Sequence, residues 1–339
     1  MRFSANQSVQ NSHKEEKSSD EDDALLKSIS SALSSSRIPG EPKKKRSRQS
    51  VNLVGRNRHL EKPYFRLTMF PKAEDVRPLN VLRQSLKHIK EQYLKDEDFT
   101  WANEQLKSVR QDITVQGLKS AFVLEVYETH ARILLEHGDL NEFNQCQTMI
   151  HSLTTGVAES IGGDFLDDTE LLGYEDDGDM KLLLSQTDER KDEFGGYRLL
   201  YALVQNADVN MSLNETRLTV KEKTKDSSSQ TLSSCLHAIQ VAKAVIHNDY
   251  RHFFQLYDTA PHLSAFLMDF LVKRVRDAAY ERIVASYRPS IGIEQFRTSL
   301  NFEDLDETKR FLKQSGAVFI KEKGEPRFWV DCKASKTRI

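Results

Sequence analysis

The stretch that decides the fold lies near the C-terminus and reads 272-VKRVRDAAYERIVASYRP-289, continued by 304-DLDETKRFLKQSGAVFIKEKGEPRFWVDC-332. In its first part, apolar residues recur at the spacing of one helix face, so we predict a long stem helix with that face buried. Pro289 predicts the helix end, because the residue before a proline is driven out of the α region. The apolar stripe comprises Val272, Val275, Ala279, Ile283 and Tyr287.

The second part predicts a helix and a hairpin. Asp304 can cap a helix, Glu307 follows three residues later, and Gly316 predicts the end of that helix. Two β-prone runs, 317–320 and 327–330, flank a charged turn that contains glycine. With a short apolar helix at 293–300, residues 263–335 predict a stem helix followed by a winged helix.

Composition limits the classes of function. The chain has 339 residues, 29% charged residues and a formal net charge of −2, so any contact with nucleic acid has to be local. Cys146, Cys235 and Cys332 form no C-x-x-C pair, which indicates a reducing compartment with each thiol in the core. No apolar run of membrane-spanning length and no signal-peptide pattern is present, so we expect an intracellular soluble protein.

Residues 1–58 are rich in Ser, Lys, Glu and Asp and are predicted to be disordered, because they cannot bury enough apolar surface to offset the ordering entropy. A basic cluster in this tail indicates an import signal, a weak nucleic-acid patch or simply a solvated charge run. Its members are Lys43, Lys44, Lys45, Arg46 and Arg48.

The region 59–262 predicts stacked helical hairpins. An extended segment comes first, followed by a helical stripe from Phe99 to Ile113 and a broadly apolar helix from about Gln116 to His137. A second hairpin turns at Asn248-Asp249. The simplest architecture is mostly α: an α-solenoid followed by the winged helix and its small β-hairpin.

Two polar stretches interrupt this pattern. Residues 157–193 are strongly acidic, and residues 208–230 end in Lys-Asp-Ser-Ser-Ser-Gln. We expect both to be exposed loops, and the acidic one to be disordered.

The sequence offers no catalytic centre. The phosphate-loop, dinucleotide, zinc-hydrolase and nucleophile-elbow motifs are absent, so we predict a protein that is not an enzyme and uses no metal or cofactor. His130 and His137 share a helix without a third ligand, and structural roles are expected for them. Asp112, near Arg110 and Glu125, is expected to belong to an ion-pair network between helices.

The sequence feature that points to a function is the positive charge on the predicted winged helix, which indicates contact with nucleic acid. Lys309, Arg310 and Lys313 form, with Asp306, a mostly basic stripe on the helix that often meets nucleic acid in such modules. Contacts to phosphates would give salt-sensitive affinity with little sequence preference. The alternative is an ordinary charged helix face. The other candidates for nucleic-acid binding are Lys321, Lys323 and Arg327 around the wing, and Lys333, Lys336 and Arg338 in a basic tail that ends at 336–339. The candidates for partner packing are Phe319, Phe328 and Trp329.

Several long motifs resemble a known family. They are 59-HLEK-62, 76-VRPL-79, 105-QLKSVRQD-112, 125-EVYETHAR-132 and 142-EFNQCQ-147, with further similarity at 250–257 and Phe302. Over residues 59–155 and 193–332 the chain resembles the Sac/GANP family of PCI-domain proteins, most closely the branch typified by the leukocyte-receptor-cluster member and its fungal counterparts.

The resemblance implies a PCI-type helical stem ending in a winged helix, and a non-enzymatic nuclear role in transcription-coupled mRNA processing or export. The implied partners are a second PCI-domain protein, a small acidic subunit of the proteasome-lid type, and RNA or DNA bound without sequence specificity. The implied location is the nucleus, with the cytoplasm left open. The alternative is an assembly subunit of a proteasome-lid-like or translation-factor-like PCI complex that makes no nucleic-acid contact.

Overall fold

The structure is a computed structural model that describes residues 53–118, 120–160, 187–226, 233–321 and 328–335. The basic cluster at 43–48 and the tail at 336–339 lie outside these ranges. In the described ranges the α-helices are α1 (Leu79–Asp96), α2 (Phe99–Gln116), α3 (Ala121–Glu136), α4 (Leu140–Ser160), α5 (Thr187–Val204), α6 (Val209–Asp226), α7 (Ser234–Ile246), α8 (Tyr250–Asp258), α9 (Ser264–Ser286), α10 (Ile293–Ser299) and α11 (Leu305–Gln314). The strands are β1 (Ser290–Gly292), β2 (Val318–Lys321) and β3 (Phe328–Asp331).

Helices α1 to α5 pack in chain order, each on the next, as expected of stacked hairpins. Helix α5 also contacts α6, α7 and α9, and α8 packs on α7 and α9. The buried Tyr197 of α5 joins these layers, because its hydroxyl donates to Glu193 (3.0 Å) and accepts from the backbone N–H of Leu263 at the start of α9 (3.0 Å). The mostly α fold with a small C-terminal β module is confirmed.

The hairpin turns follow local sequence signals. Helix α3 begins later than predicted, because Gly117 takes a left-handed conformation (φ 64°) that ends α2, and the Ser120 side chain then caps α3. Asp249 caps α8 by accepting from the backbone N–H of His252 (3.1 Å), as the second predicted hairpin requires. The three cysteines are buried, as predicted.

The prediction of a loop at 208–230 was wrong, because residues 209–226 form α6. This helix packs on α5 and α7 through an apolar edge that includes Val209 and Leu213, while Met211 and Leu218 are exposed among polar residues. The prediction of an acidic loop at 157–193 was wrong at both ends, where α4 continues to Ser160 and α5 begins at Thr187. Its centre, 161–186, lies outside the described residues.

Residues 53–78, which we call the N-terminal strap, precede α1 and contain only a short 3₁₀ turn at Ala73–Asp75. The strap begins inside the predicted tail, where Gly55 is buried and its N–H donates to Gln116 Oε1 of α2 (3.0 Å). Arg77 is fully buried and its Nε lies 2.7 Å from Asp112 Oδ2. Lys62 Nζ reaches the other carboxylate oxygen of Asp112 at 2.5 Å. A buried charge cluster therefore fastens the strap to α2.

The predicted ion-pair network exists, but Asp112 does not share it with Arg110 and Glu125. Arg110 pairs with Glu142 of α4 (2.5 Å), and Glu125 pairs with Lys90 of α1 (2.5 Å). Each of these charges therefore connects two elements that are distant in sequence.

The C-terminal β module consists of β1, α10, α11, β2 and β3, and its antiparallel sheet has the order β1-β3-β2. The hairpin of β2 and β3 agrees with the sequence prediction, whereas β1 was not predicted. The stem helix α9 ends at Ser286, before Pro289, and buries Val275, Ala279 and Ile283 as expected. Tyr287, the last residue of the predicted stripe, is instead 40% exposed just beyond the helix end.

Candidate nucleic-acid interface

The orientation of α11 is fixed by its cap and by its inner face. Asp304 Oδ1 accepts from the backbone N–H of Glu307 at 2.6 Å, which confirms the predicted cap. Thr308 and Leu312 are buried, and the ring of Phe311 packs against that of Phe302, with 5.2 Å between centroids. The opposite face of α11 therefore lies at the surface.

That outer face carries the three predicted cations. Lys309 Nζ lies 3.3 Å from Asp306 Oδ1 and 4.9 Å from the ring centroid of Phe328 on β3, which is cation–π distance. Arg310 and Lys313 are exposed, and their side chains make no ion pair within the described ranges. The structure thus brings three of the predicted residues together, and two of them, Arg310 and Lys313, make no ion pair among the described residues, although Arg310 Nε donates to the carbonyl of Asp306 (3.4 Å).

The structure describes only some of the other basic residues predicted from the sequence. Lys333 is exposed in the turn after β3, where its backbone N–H donates to Asp331 Oδ1 (2.8 Å). Lys321 ends β2 opposite Phe328, but its side chain lies outside the described part of the chain. Lys323, Arg327, Lys336 and Arg338, and the import-type cluster Lys43, Lys44, Lys45, Arg46 and Arg48, lie outside it entirely.

The three candidates for partner packing do not share one sheet face. Residues opposite each other on antiparallel strands lie on the same face, so Phe319 shares a face with Val330, and Trp329 lies with Ile320 on the other. Phe319 packs against the core, and Val330 is buried. The opposite side, which we call the outer sheet face, carries Val318, Ile320 and Trp329, and the first two are 42% and 39% exposed.

Arg276 of the stem helix connects α9 to the β module, a role that sequence reasoning missed. Its guanidinium lies 3.7 Å from the ring centroid of Phe302 and donates to the carbonyls of Leu300 (3.0 Å) and Asn301 (2.7 Å). Burial lowers the pKa of Arg276, while the nearby Glu307 on α11, at 3.2 Å, acts in the opposite direction. Arg276 therefore connects α11 and the loop before it to the stem, together with Tyr280, whose ring lies 6.4 Å from that of Phe311.

We expect Arg276→Met to lower the free energy of unfolding by about 2 kcal/mol, because the alkyl chain is kept while hydrogen bonds from a charged donor are lost. Urea denaturation measures this change. The matched control is Arg297→Met, which removes an exposed ion pair with Glu294 and should leave the midpoint unchanged. Equal midpoints for the two variants would contradict the role given to Arg276.

A second polar cluster, between α2, α3 and α4, has a structural role. Burial and the neighbouring Arg110 hold the pKa of His130 well below its usual value, and His130 Nε2 lies 2.9 Å from Asn103 Oδ1. Burial raises the pKa of Cys146 to about 12, so this thiol carries no thiolate at neutral pH. The structural role predicted for His130 agrees with this arrangement. No cluster of three or more metal-ligating side chains occurs among the described residues.

None of the described helices combines the length and apolar content needed to cross a bilayer.

Comparison with known proteins gives matches over most of the chain. It is 34% identical over 286 residues to the leukocyte receptor cluster member 8 homolog of Xenopus laevis, covering 84% of this chain and 31% of that protein. It is 34% identical over 268 residues to a THP3 homolog of Schizosaccharomyces pombe, covering 79% of this chain and 58% of the relative.

Protein THP3 of Saccharomyces cerevisiae is 44% identical over 106 residues, which cover 31% of this chain and 23% of that protein. The chain thus spans about a third of the first relative and just over half of the second. The model of the SAC3/GANP family matches residues 62–321, a range that includes most of the strap, all the described α-helices, β1 and β2. The chain belongs to the SAC3/GANP family.

Proposed function

We propose that this protein is a non-enzymatic scaffold subunit of a nuclear PCI-protein complex in transcription-coupled mRNA processing or export, and that its winged helix binds RNA or DNA. The observation that carries the proposal is the outer face of α11. There Arg310 and Lys313 are exposed without ion pairs among the described residues, beside Lys309 on the Phe328 ring. Family membership and the names of the THP3 relatives support the assignment to mRNA metabolism.

The proposed binding is directed at phosphates. Arg310 and Lys313 can each pair with a phosphate oxygen, and such contacts fix position without carrying sequence information. Asp306 lies on the same helix face and would repel a phosphate backbone that runs close along α11. This repulsion favours a small number of phosphate contacts. We therefore expect low sequence preference and a strong dependence on salt.

The outer sheet face is the proposed contact with a second PCI-domain protein. Val318 and Ile320 expose apolar surface beside Trp329, whose indole Nε1–H is buried without a hydrogen-bond acceptor in the described structure. Partner packing would cover this apolar area. We further propose a small acidic proteasome-lid-type subunit as a third component, and import directed by the cluster at 43–48.

A non-enzymatic role is supported by the state of the polar residues in the helical region. The cluster that contains His130 and Cys146 is closed to solvent, and its groups serve as partners for each other. Asp306, the carboxylate beside the exposed cations of α11, forms an ion pair with Lys309 (3.3 Å). We therefore propose that the chain binds nucleic acid and partner proteins as a scaffold and catalyses no reaction.

Affinity purification followed by mass spectrometry, with and without nuclease, tests the assignment. We expect mRNA-processing factors and a second PCI protein to co-purify, and the PCI partner to survive nuclease. Ile320→Glu should abolish its recovery, whereas Leu94→Glu, at an 80% exposed site on α1, should not. Recovery of proteasome-lid or translation-factor subunits instead would support the alternative assembly role and overturn the proposal.

A further inference from the structure

We propose that the outward surface of the N-terminal strap is a second binding surface for single-stranded RNA, separate from α11. The surface consists of exposed cations and exposed rings on residues 56–72, a segment to which the function proposed above assigns no task. The proposal does not depend on the cations of α11.

Between residues 56 and 72 the strap is held by its backbone together with the Lys62 side chain, and most of the other side chains in this range are exposed. Lys62 N–H donates to Gln105 Oε1 (3.0 Å), and Gln111 Nε2 donates to the carbonyl of Phe65 (2.7 Å). Nearer the start of the strap, Arg56 N–H donates to the carbonyl of Ala73 (2.7 Å). Because these contacts already order an extended backbone, a ligand that lies along it meets a surface with little remaining conformational entropy to lose.

The strap is basic in a chain whose net charge is slightly negative. Between residues 53 and 72 there are five Lys or Arg residues and one acidic residue, Glu61, which pairs with His88 (2.8 Å). Lys62 is committed to Asp112, but Arg56, Arg58 and Lys72 are exposed and make no ion pair with any described residue. Three cations on one extended segment suit the spaced phosphates of a single strand.

Exposed rings lie between these cations. Phe65 is 65% exposed, Phe70 is 74% exposed, and Tyr64 is 43% exposed. Large rings left in water need an explanation, and stacking on unpaired bases is the contact that an extended nucleic acid offers to an isolated ring. The arrangement differs from a groove, because none of the described helices closes over the rings.

The mixture of charges and rings favours RNA over a protein partner. A protein-docking patch usually joins its apolar residues into one area with few charged residues at the centre. Here Arg66 follows Phe65 directly, and Lys72 follows Phe70 by two residues, so cations are interspersed among the rings. On such a mixed surface the rings can stack on bases while the cations pair with phosphates, and neither contact depends on the RNA sequence.

Binding of the full chain to fluorescent oligouridine, titrated at several salt concentrations, tests the proposal. Arg56→Glu/Arg58→Glu should weaken binding about ten-fold at low salt and reduce the salt slope by roughly 1.4, the value for two phosphate contacts on a single strand. Phe65→Ala/Phe70→Ala should also weaken binding about ten-fold but leave the salt slope unchanged, because stacking releases no counterions. Lys243→Glu/Lys273→Glu, at exposed sites on α7 and α9, is the control for net charge.

Ultraviolet crosslinking of oligouridine to the unaltered chain gives a readout that needs no variant, and crosslinked peptides should include residues 64–70. Strap variants that bind within two-fold of the unaltered chain would overturn the proposal, as would an unaltered chain without measurable affinity at about 50 mM salt. Loss of a protein partner with unchanged RNA affinity would make the strap a protein-docking site and would also overturn it. If strap variants weaken binding and α11 variants do not, the strap proposal stands and the α11 assignment falls.

Discussion

Replacing Asp112 by alanine is expected to lower the free energy of unfolding by about 3–5 kcal/mol. The Asp112 carboxylate is 1% exposed and is the charged partner of Arg77, whose side chain is fully buried. Arg77 keeps its bonds to the carbonyl of Leu60 (3.0 Å) and to Ser108 Oγ (2.8 Å), but its charge would remain buried without compensation. Because domains are stable by only about 5–15 kcal/mol, this loss removes a large fraction of the total.

The loss should be accompanied by release of the strap. Lys62 also loses its ion-pair partner in Asp112→Ala, so trypsin should cleave after Arg58 and Arg66 much faster than in the unaltered chain. Urea denaturation gives the change in stability, and Arg77→Ala/Asp112→Ala should be less destabilised than the sum of the single variants.

The control for Asp112→Ala is Glu91→Ala, which removes an exposed pair with Lys87 and should leave the urea midpoint unchanged. A loss below about 1 kcal/mol for Asp112→Ala, with unchanged proteolysis of the strap, would contradict the anchoring role.

Local sequence patterns, which span only a few neighbouring residues, predicted most of the C-terminal β module. Asp304 and Glu307 are three residues apart, so the cap of α11 is visible in the sequence, and the hairpin runs are β-prone on their own. Strand β1 was missed because its three residues are extended only through pairing with β3. Arg276 was missed for a similar reason, since its hydrogen-bond partners lie 24 or more residues further along the chain.

In the helical region, the mistakes concern polar residues with distant partners. Asp192 lies in a stretch that looks like a solvated acidic loop, yet its carboxylate accepts from the backbone N–H of Ser234 (2.8 Å) at the start of α7. Asp112 was expected to belong to an ion-pair network between helices with Arg110 and Glu125, but its partner Arg77 lies in the strap, 35 residues away. Helix α6 escaped prediction because few of its residues are apolar, and its packing on α5 and α7 supplies stabilisation that its own sequence pattern does not show.

Reversing the three charges of α11, as Lys309→Glu/Arg310→Glu/Lys313→Glu, is expected to weaken RNA binding about 100-fold at low salt. The side chains lie on one exposed face, so they can contact neighbouring phosphates together, and reversal replaces attraction by repulsion. Leu312 and Thr308 keep their burial on the opposite face, so the helix and the core should be unaffected. Circular dichroism and thermal unfolding check that the fold is retained.

The matched control carries the same change of net charge at a different place. Lys95, Lys243 and Lys273 are exposed on α1, α7 and α9, and their reversal to Glu changes the total charge by the same amount. A general electrostatic effect would weaken binding equally in both triple variants, whereas a local interface would weaken it only in the α11 variant.

The most direct test of the proposed α11 interface is the equilibrium affinity for single-stranded RNA as a function of salt, measured for the unaltered chain, the α11 triple variant and the control triple variant. If α11 binds phosphates, the α11 variant loses about 100-fold in affinity and its salt slope falls by roughly 2, while the control keeps most of its affinity. Affinities of the α11 variant and the unaltered chain that agree within two-fold at low salt would contradict a nucleic-acid interface on α11.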